Sequence, residues 1–175
     1  GAAHSLRNRS RQSRPLCLAI GVEPVTTGTI HGRGAYSPSD LQLLPSVDIV
    51  IPVYNEAHVL EASITTLGAF LSSHLIGYCW RIVIADNGST DATLQVAQRI
   101  TAGSTGAVAW VHLEQKGRGR ALKRAWLQSN ADLMCYMDVD LSTSLESLQP
   151  LLDAVRDHAD IAIGSRLLPA SRTLR

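Results

Sequence analysis

From Val47 onward the chain alternates, again and again, between β-branched runs and apolar residues at helical spacing. VDIVIPV (47–53) is followed by Leu60, Ile64, Leu67, Leu71 and Leu75, three or four residues apart, which reads as a strand and then a long helix. WRIVIA (80–85) predicts a second strand, and Thr90 to about Ala102 a helix with Leu94, Val96, Ala97 and Ile100 inward. The same logic predicts strands at Ala107–Leu113, Leu133–Met137 and Ile161–Gly164, and helices at Gly119–Gln128 and from near Ser147 through Val155. Starting the last helix there puts Pro150 in its first turn, where no amide bond is lost. Strand–helix alternation with short connections requires parallel strands joined by right-handed crossovers, hence an α/β, doubly wound sheet with helices on both faces. Such sheets take ligands outside the carboxyl ends of the strands, where the strand order reverses.

The 175 residues, 45% hydrophobic and 18% charged, suffice for one core and leave no room for two full domains. Residues 1–46 differ in character: five arginines stand against Glu23 and Asp40 amid Ser, Gly, Thr and Pro, with no apolar period. They read as a flexible basic tail preceding a domain at 47–175. A net charge of +1 gives no footprint for nucleic acid. Cys17, Cys79 and Cys135 are an odd set without a C-x-x-C pair, which favours a reduced, cytoplasmic compartment. No apolar stretch approaches the ~18 residues a membrane-spanning helix needs.

Every polar cluster falls at a predicted carboxyl end. Tyr54, Asn55 and Glu56 follow the first strand, Asp86 to Asp91 the second, Lys116 to Gly119 the third, and Asp138 and Asp140 the fourth. Strand-to-helix turns attract such residues as caps whatever the function, and Gly88, Ser89 and Thr90 are read that way, as is a capping box from Thr143 to Glu146. Asp138 and Asp140 need more than capping, because two neighbouring carboxylates repel unless a cation lies between them. Oxygen-only ligation suits Mg²⁺ or Mn²⁺, which retain waters and take further ligands from substrate phosphates. Lys116-Gly117-Arg118-Gly119 offers cationic charge and open backbone at a helix start, and Arg166, after Gly164 and Ser165, supplies a guanidinium for a diphosphate. No Walker A pattern exists to hold a triphosphate.

Taken in order, VDIVIPVYNE (47–56), IADNGSTDAT (84–93), KGRGRA (116–121), MDVDLST (137–143) and IAIGSRL (161–167) resemble the family 2 glycosyltransferases, and most closely those that serve dolichyl or polyprenyl phosphate. The resemblance spans Val47 to about Leu168. It implies a GT-A fold, a Rossmann-like nucleotide-binding half, and inverting transfer of a hexose from a UDP- or GDP-sugar to a polyprenyl or dolichyl phosphate at the cytoplasmic face of a membrane. It further implies that Pro52, Tyr54, Asn55, Glu56 and Asp86 line the base and ribose pocket, which Lys116 and Gly117 close. Asp138 faces the ribose and metal, Asp140 holds the metal, Ser142 stands where some relatives place a third, amide ligand, and Arg166 grips the diphosphate. Asn87 replaces what is often a second Asp in the family, retaining a hydrogen bond to ribose.

The chain stops soon after GSR, whereas relatives continue with acceptor-binding elements, so a C-terminally incomplete domain is expected. Two other readings follow from the same residues. One is a nucleotide-sugar-binding fragment without turnover. The other is a haloacid-dehalogenase-like phosphatase built on DVDLS, against which stands the position of that motif at the fourth strand rather than the first.

Overall fold

The computed structural model of the chain describes residues 44–165, so the basic segment falls almost wholly outside it, and Arg166 does entirely. The described elements run β1 (Ser46–Val53), α1 (Ala57–His74), β2 (Cys79–Asp86), α2 (Thr93–Gly103), β3 (Val108–His112), α3 (Arg118–Gln128), β4 (Leu133–Tyr136) and α4 (Leu148–Asp157), with a single 3₁₀ turn at Leu145–Ser147 before α4. The four strands are parallel in the order β3-β2-β1-β4. Strand order therefore reverses between β1 and β4, which places the ligand crevice of a doubly wound sheet at their carboxyl ends.

The alternation within β1 divides the core. Val47, Ile49, Ile51 and Val53 pack on one face with Leu60, Ile64, Leu67 and Leu71 of α1, Val96 and Ala97 of α2, and Leu148 and Leu152 of α4. Val50, with Val83 and Ala85 of β2, packs on the other face against Ala121 and Ala125 of α3. Helices thus cover both faces, as the alternation predicts. Leu60, Leu67 and Leu71 have no exposed surface, and each contributes about 2 kcal/mol by leaving water.

At the amino end of the sheet, Asp48 and Arg81 are register partners on β1 and β2. Arg81 donates from Nε and a terminal nitrogen to the two Asp48 oxygens at 2.9 and 2.7 Å, and Ser129 donates to Oδ2 at 2.6 Å. Nearby, the Ser46 amide and hydroxyl donate to Asp132 Oδ2 at 2.9 and 2.7 Å, so the ordered strand begins one residue before Val47. Cys135, packed beneath this network, has its thiol pushed up to about 12, by burial first and then by the Asp48 charge.

Three expectations are corrected. Residues 161–165 form no fifth strand: Ile161 and Ile163 are 77% and 79% exposed, and no described strand offers them a ladder. A β-branched run without a backbone partner leaves its amides to water. The second helix starts at Thr93 rather than Thr90, and its N-cap, Ala92, makes no side-chain cap bond. The capping box does not form either, since Glu146 receives the Ser144 hydroxyl and the turn is capped at Ser144 without a side-chain bond. Pro150 does lie in the first turn of α4.

Candidate nucleotide-sugar site

Pro52 opens the crevice. β4 pairs with β1 only from Val47 to Val50, and the Met137 amide closes that ladder on the Val50 carbonyl at 3.1 Å. The groups of alternate residues point the same way along a parallel strand, so the N–H that Pro52 lacks would have faced β4. Beyond Val50, β1 continues to Val53 paired with β2 alone, leaving a cleft on the β4 side.

The turn after β1 is held by the turn after β2. Asn55 has φ +56°, a left-handed conformation that asparagine tolerates better than most residues. Its amide donates to Ser89 Oγ at 3.0 Å, and its Oδ1 accepts from the Thr90 amide at 2.8 Å. The Glu56 amide donates to Thr93 Oγ1 at 2.8 Å, while its carbonyl opens α1 by accepting from Val59 and Leu60. Asp91 accepts from the Thr93 amide at 2.9 Å and from Ala57 at 3.3 Å, joining the starts of two helices. The Thr93 hydroxyl beside it holds the Asp91 carboxyl below the usual range. Ser89 and Thr90 are therefore clasps between loops and not helix caps.

Asp86 is completely buried. Its Oδ1 accepts from the Ser89 hydroxyl and, at 3.3 Å, from the Ser89 amide; its Oδ2 lies 2.6 Å from Nδ1 of His112 at the end of β3. Both oxygens are engaged inside the protein. His112 went unnoticed in the sequence because only the β2–β3 register, which pairs Asp86 with His112, brings the two together.

Asn87 likewise turns inward: it is 5% exposed and its Oδ1 accepts from the Gly117 amide. That bond docks the Lys116–Gly119 turn on the β2 turn. Gly88 makes that docking possible, with φ +74° and carbonyl oxygens of Leu113 and Glu114 at 3.1 and 3.2 Å from where a Cβ would stand. Gly88→Ala is expected to cost about 1–3 kcal/mol and to weaken nucleotide binding with it. Chemical denaturation and a nucleotide titration of the same variant check this.

On the outer side of the turn, Lys116 Nζ lies 3.7 Å from the centroid of the half-buried Tyr54 ring. The residue expected to close the pocket and one expected to line it are thus in direct contact. At the end of β4, Val139 is buried and the flanking Asp138 and Asp140 are exposed, so both carboxylates face out. Arg118, the first residue of α3, donates to Asp138 Oδ1. Asp140 Oδ1 accepts from the Ser142 amide at 3.0 Å, and Leu141 between them has φ +51°. Among the described residues no three His, Cys, Asp or Glu side chains cluster to hold a metal. Two outward carboxylates without nitrogen or sulfur donors match a hard divalent ion that completes its shell from water and phosphate, and they match nothing softer.

The solved structure of the mannosyltransferase PcManGT from Pyrobaculum calidifontis, with GDP-Man and Mn²⁺, matches with a TM-score of 0.55 at 22% identity over 67% of this chain and 34% of that one. A GT-A-type fold is thereby shared. Among curated proteins, glycosyltransferase AglD of Haloferax volcanii is 33% identical over 70% of this chain and 20% of its own length. The dolichol-phosphate mannosyltransferase of Pyrococcus furiosus is 31% identical over 72% of this chain and 34% of its own. The polyprenol monophosphomannose synthase of Mycolicibacterium smegmatis is 32% identical over 69% and 45%. The chain thus spans between a fifth and just under half the length of these relatives. Among the described residues no helix is long and apolar enough to cross a membrane. The family model for glycosyl transferase family 2 matches residues 48–173, and the chain belongs to that family.

Proposed function

We propose that this chain forms the donor-binding half of an inverting, metal-dependent hexosyltransferase that takes a nucleotide-diphosphate sugar as donor and a polyprenyl or dolichyl phosphate as acceptor. The observation that carries the reading is the convergence of Tyr54, Lys116, Arg118, Asp138 and Asp140 on the carboxyl edge beside the strand-order reversal. Relatives named for transfer to dolichol and polyprenol phosphate support the acceptor, and a structural neighbour that holds GDP-Man and Mn²⁺ supports donor and metal.

In this reading the base and ribose enter between Tyr54 and the Lys116–Gly117 turn, which the Asn87 and Gly88 docking holds at a fixed height. Pro52, Asn55 and Glu56 shape the floor. Asp138 and Asp140 would hold Mg²⁺ or Mn²⁺, which when bound supplies positive charge against the diphosphate. Ser142, whose amide already serves Asp140, is proposed as no more than a support for that carboxylate. Arg166 is proposed as a second cation for the same phosphates. Transfer is a single displacement: an acceptor phosphate oxygen forms a bond to the anomeric carbon as the bond to the diphosphate oxygen breaks, and the diphosphate leaves with the electron pair. A phosphate acceptor is already anionic, so no side chain is required to remove a proton from it. The cationic side chains Lys116, Arg118 and Arg166 stabilise the charge that develops on the leaving group.

Calorimetric titration of UDP- and GDP-sugars, each in Mn²⁺ and in chelator, tests the reading. Preference for one nucleotide and at least about tenfold tighter binding in Mn²⁺ are expected. Equal binding of all donors with and without the ion would refute it.

A further inference from the structure

The sole cation paired with Asp138 among the described residues is Arg118, and its position is costly for a merely structural role. It is the first residue of α3, whose first turn holds Arg118 and Arg120 and no acidic residue, with both positive charges at the positive end of the helix dipole. Arg120 is satisfied locally, donating to the Lys116 carbonyl and, at 3.1 Å, to Gln115 Oε1. Arg118 instead reaches twenty positions along the chain to Asp138, with its guanidinium 5.8 Å from the Tyr136 ring centroid. Both partners are open to water, with side chains 55% and 54% exposed, so the pair is weak and exchangeable. Asp140 is paired with no cation among the described residues.

Resting on the function proposed above, we propose that Arg118 is an exchangeable counter-ion that couples metal and nucleotide binding. Without ligands it neutralises Asp138 and so occupies one of the two carboxylates a divalent ion needs. A cation arriving at Asp138 and Asp140 must displace the guanidinium, and like charges a few ångström apart resist this unless the guanidinium finds an anion. The diphosphate of the donor is that anion, offering oxygens to which arginine donates in parallel. Each ligand thus removes what opposes the other, and linkage makes the assistance reciprocal. The rest state guards against metal binding without donor.

Calorimetry on the 175-residue chain, with Mn²⁺ alone, with GDP and UDP in chelator, and with the nucleotides in Mn²⁺, tests the proposal in wild type, Arg118→Gln, Arg118→Lys and Lys123→Gln. Lys123 is an exposed residue of the same helix and controls for the loss of one charge from α3. Arg118→Gln is expected to bind Mn²⁺ alone about three- to tenfold more tightly, to bind nucleotide in chelator about tenfold more weakly, and to lose most of the mutual enhancement. Arg118→Lys should restore part of each effect, and Lys123→Gln none. Unchanged or weaker Mn²⁺ binding in Arg118→Gln, with wild type still binding nucleotide and metal, overturns the counter-ion role and leaves the donor site standing. Wild type that binds neither Mn²⁺ nor nucleotide overturns both. Circular dichroism melts, expected to be unchanged for these exposed positions, separate either result from misfolding.

Discussion

Replacing Asp140 by asparagine should lower Mn²⁺-dependent donor affinity by about tenfold or more, with no loss of thermal stability. Asp140 is exposed and makes its one described hydrogen bond to a local amide, so the fold does not depend on its charge. Its neighbour Asp138 already has a cation in Arg118. Of the two carboxylates, Asp140 is therefore the one that no cation among the described residues neutralises, and its loss should be felt most at the metal. Titrating the donor in Mn²⁺ and in chelator separates this from a general loss of nucleotide contacts, since affinity in chelator should hardly change. An Asp140→Asn protein with wild-type affinity in Mn²⁺ would remove the carboxylate from the proposed ligand set.

The largest effect on stability is expected at the opposite edge of the sheet. Arg81→Met should cost about 3 kcal/mol, because Asp48, whose side chain is 3% exposed, would keep only the Ser129 hydroxyl as a described partner. The value lies at the low end for a broken buried pair because the arginine side chain is 30% exposed and water can reach the vacated position. Replacing both residues, as Asp48→Leu with Arg81→Met, should recover most of the loss, since no buried charge is then left alone. Urea unfolding of the two variants measures both quantities. Nucleotide affinity should be unaffected, as the pair sits at the amino ends of β1 and β2.

The four strands and four helices were legible because each carries its own signal: β-branched runs at Ser46–Val53 and Cys79–Asp86, and leucines from Leu60 to Leu71 at helical spacing. What misled was local preference unsupported by a partner. Ile161 and Ile163 look like strand residues and lie in water, and Ser89 and Thr90 look like caps but bind Asn55 between the turns after β1 and β2. The polar clusters did fall at one edge, because alternation alone dictates parallel strands. The pairing among them was beyond the sequence, since Asp86 with His112, Asn87 with Gly117 and Arg118 with Asp138 are brought together by register and loop docking over 20 to 30 positions. Two residues expected to face ribose, Asp86 and Asn87, also hold the turns against each other.

The claim on which the rest depends is that metal and donor meet at the carboxyl edge between β1 and β4. Paramagnetic broadening by substoichiometric Mn²⁺ in the presence of GDP, read on the amide resonances of ¹⁵N-labelled protein, locates the ion without relying on turnover. The eight residues of β1 set the two ends of the strand about 23 Å apart, and the effect falls with the sixth power of distance. The amides of Asn55, Gly88, Val139, Asp140 and Leu141 should broaden first, while those of Ser46, Trp80 and Ala107 at the amino edge stay sharp. Broadening centred on the amino edge, or spread evenly over the exposed acidic residues, would contradict the claim.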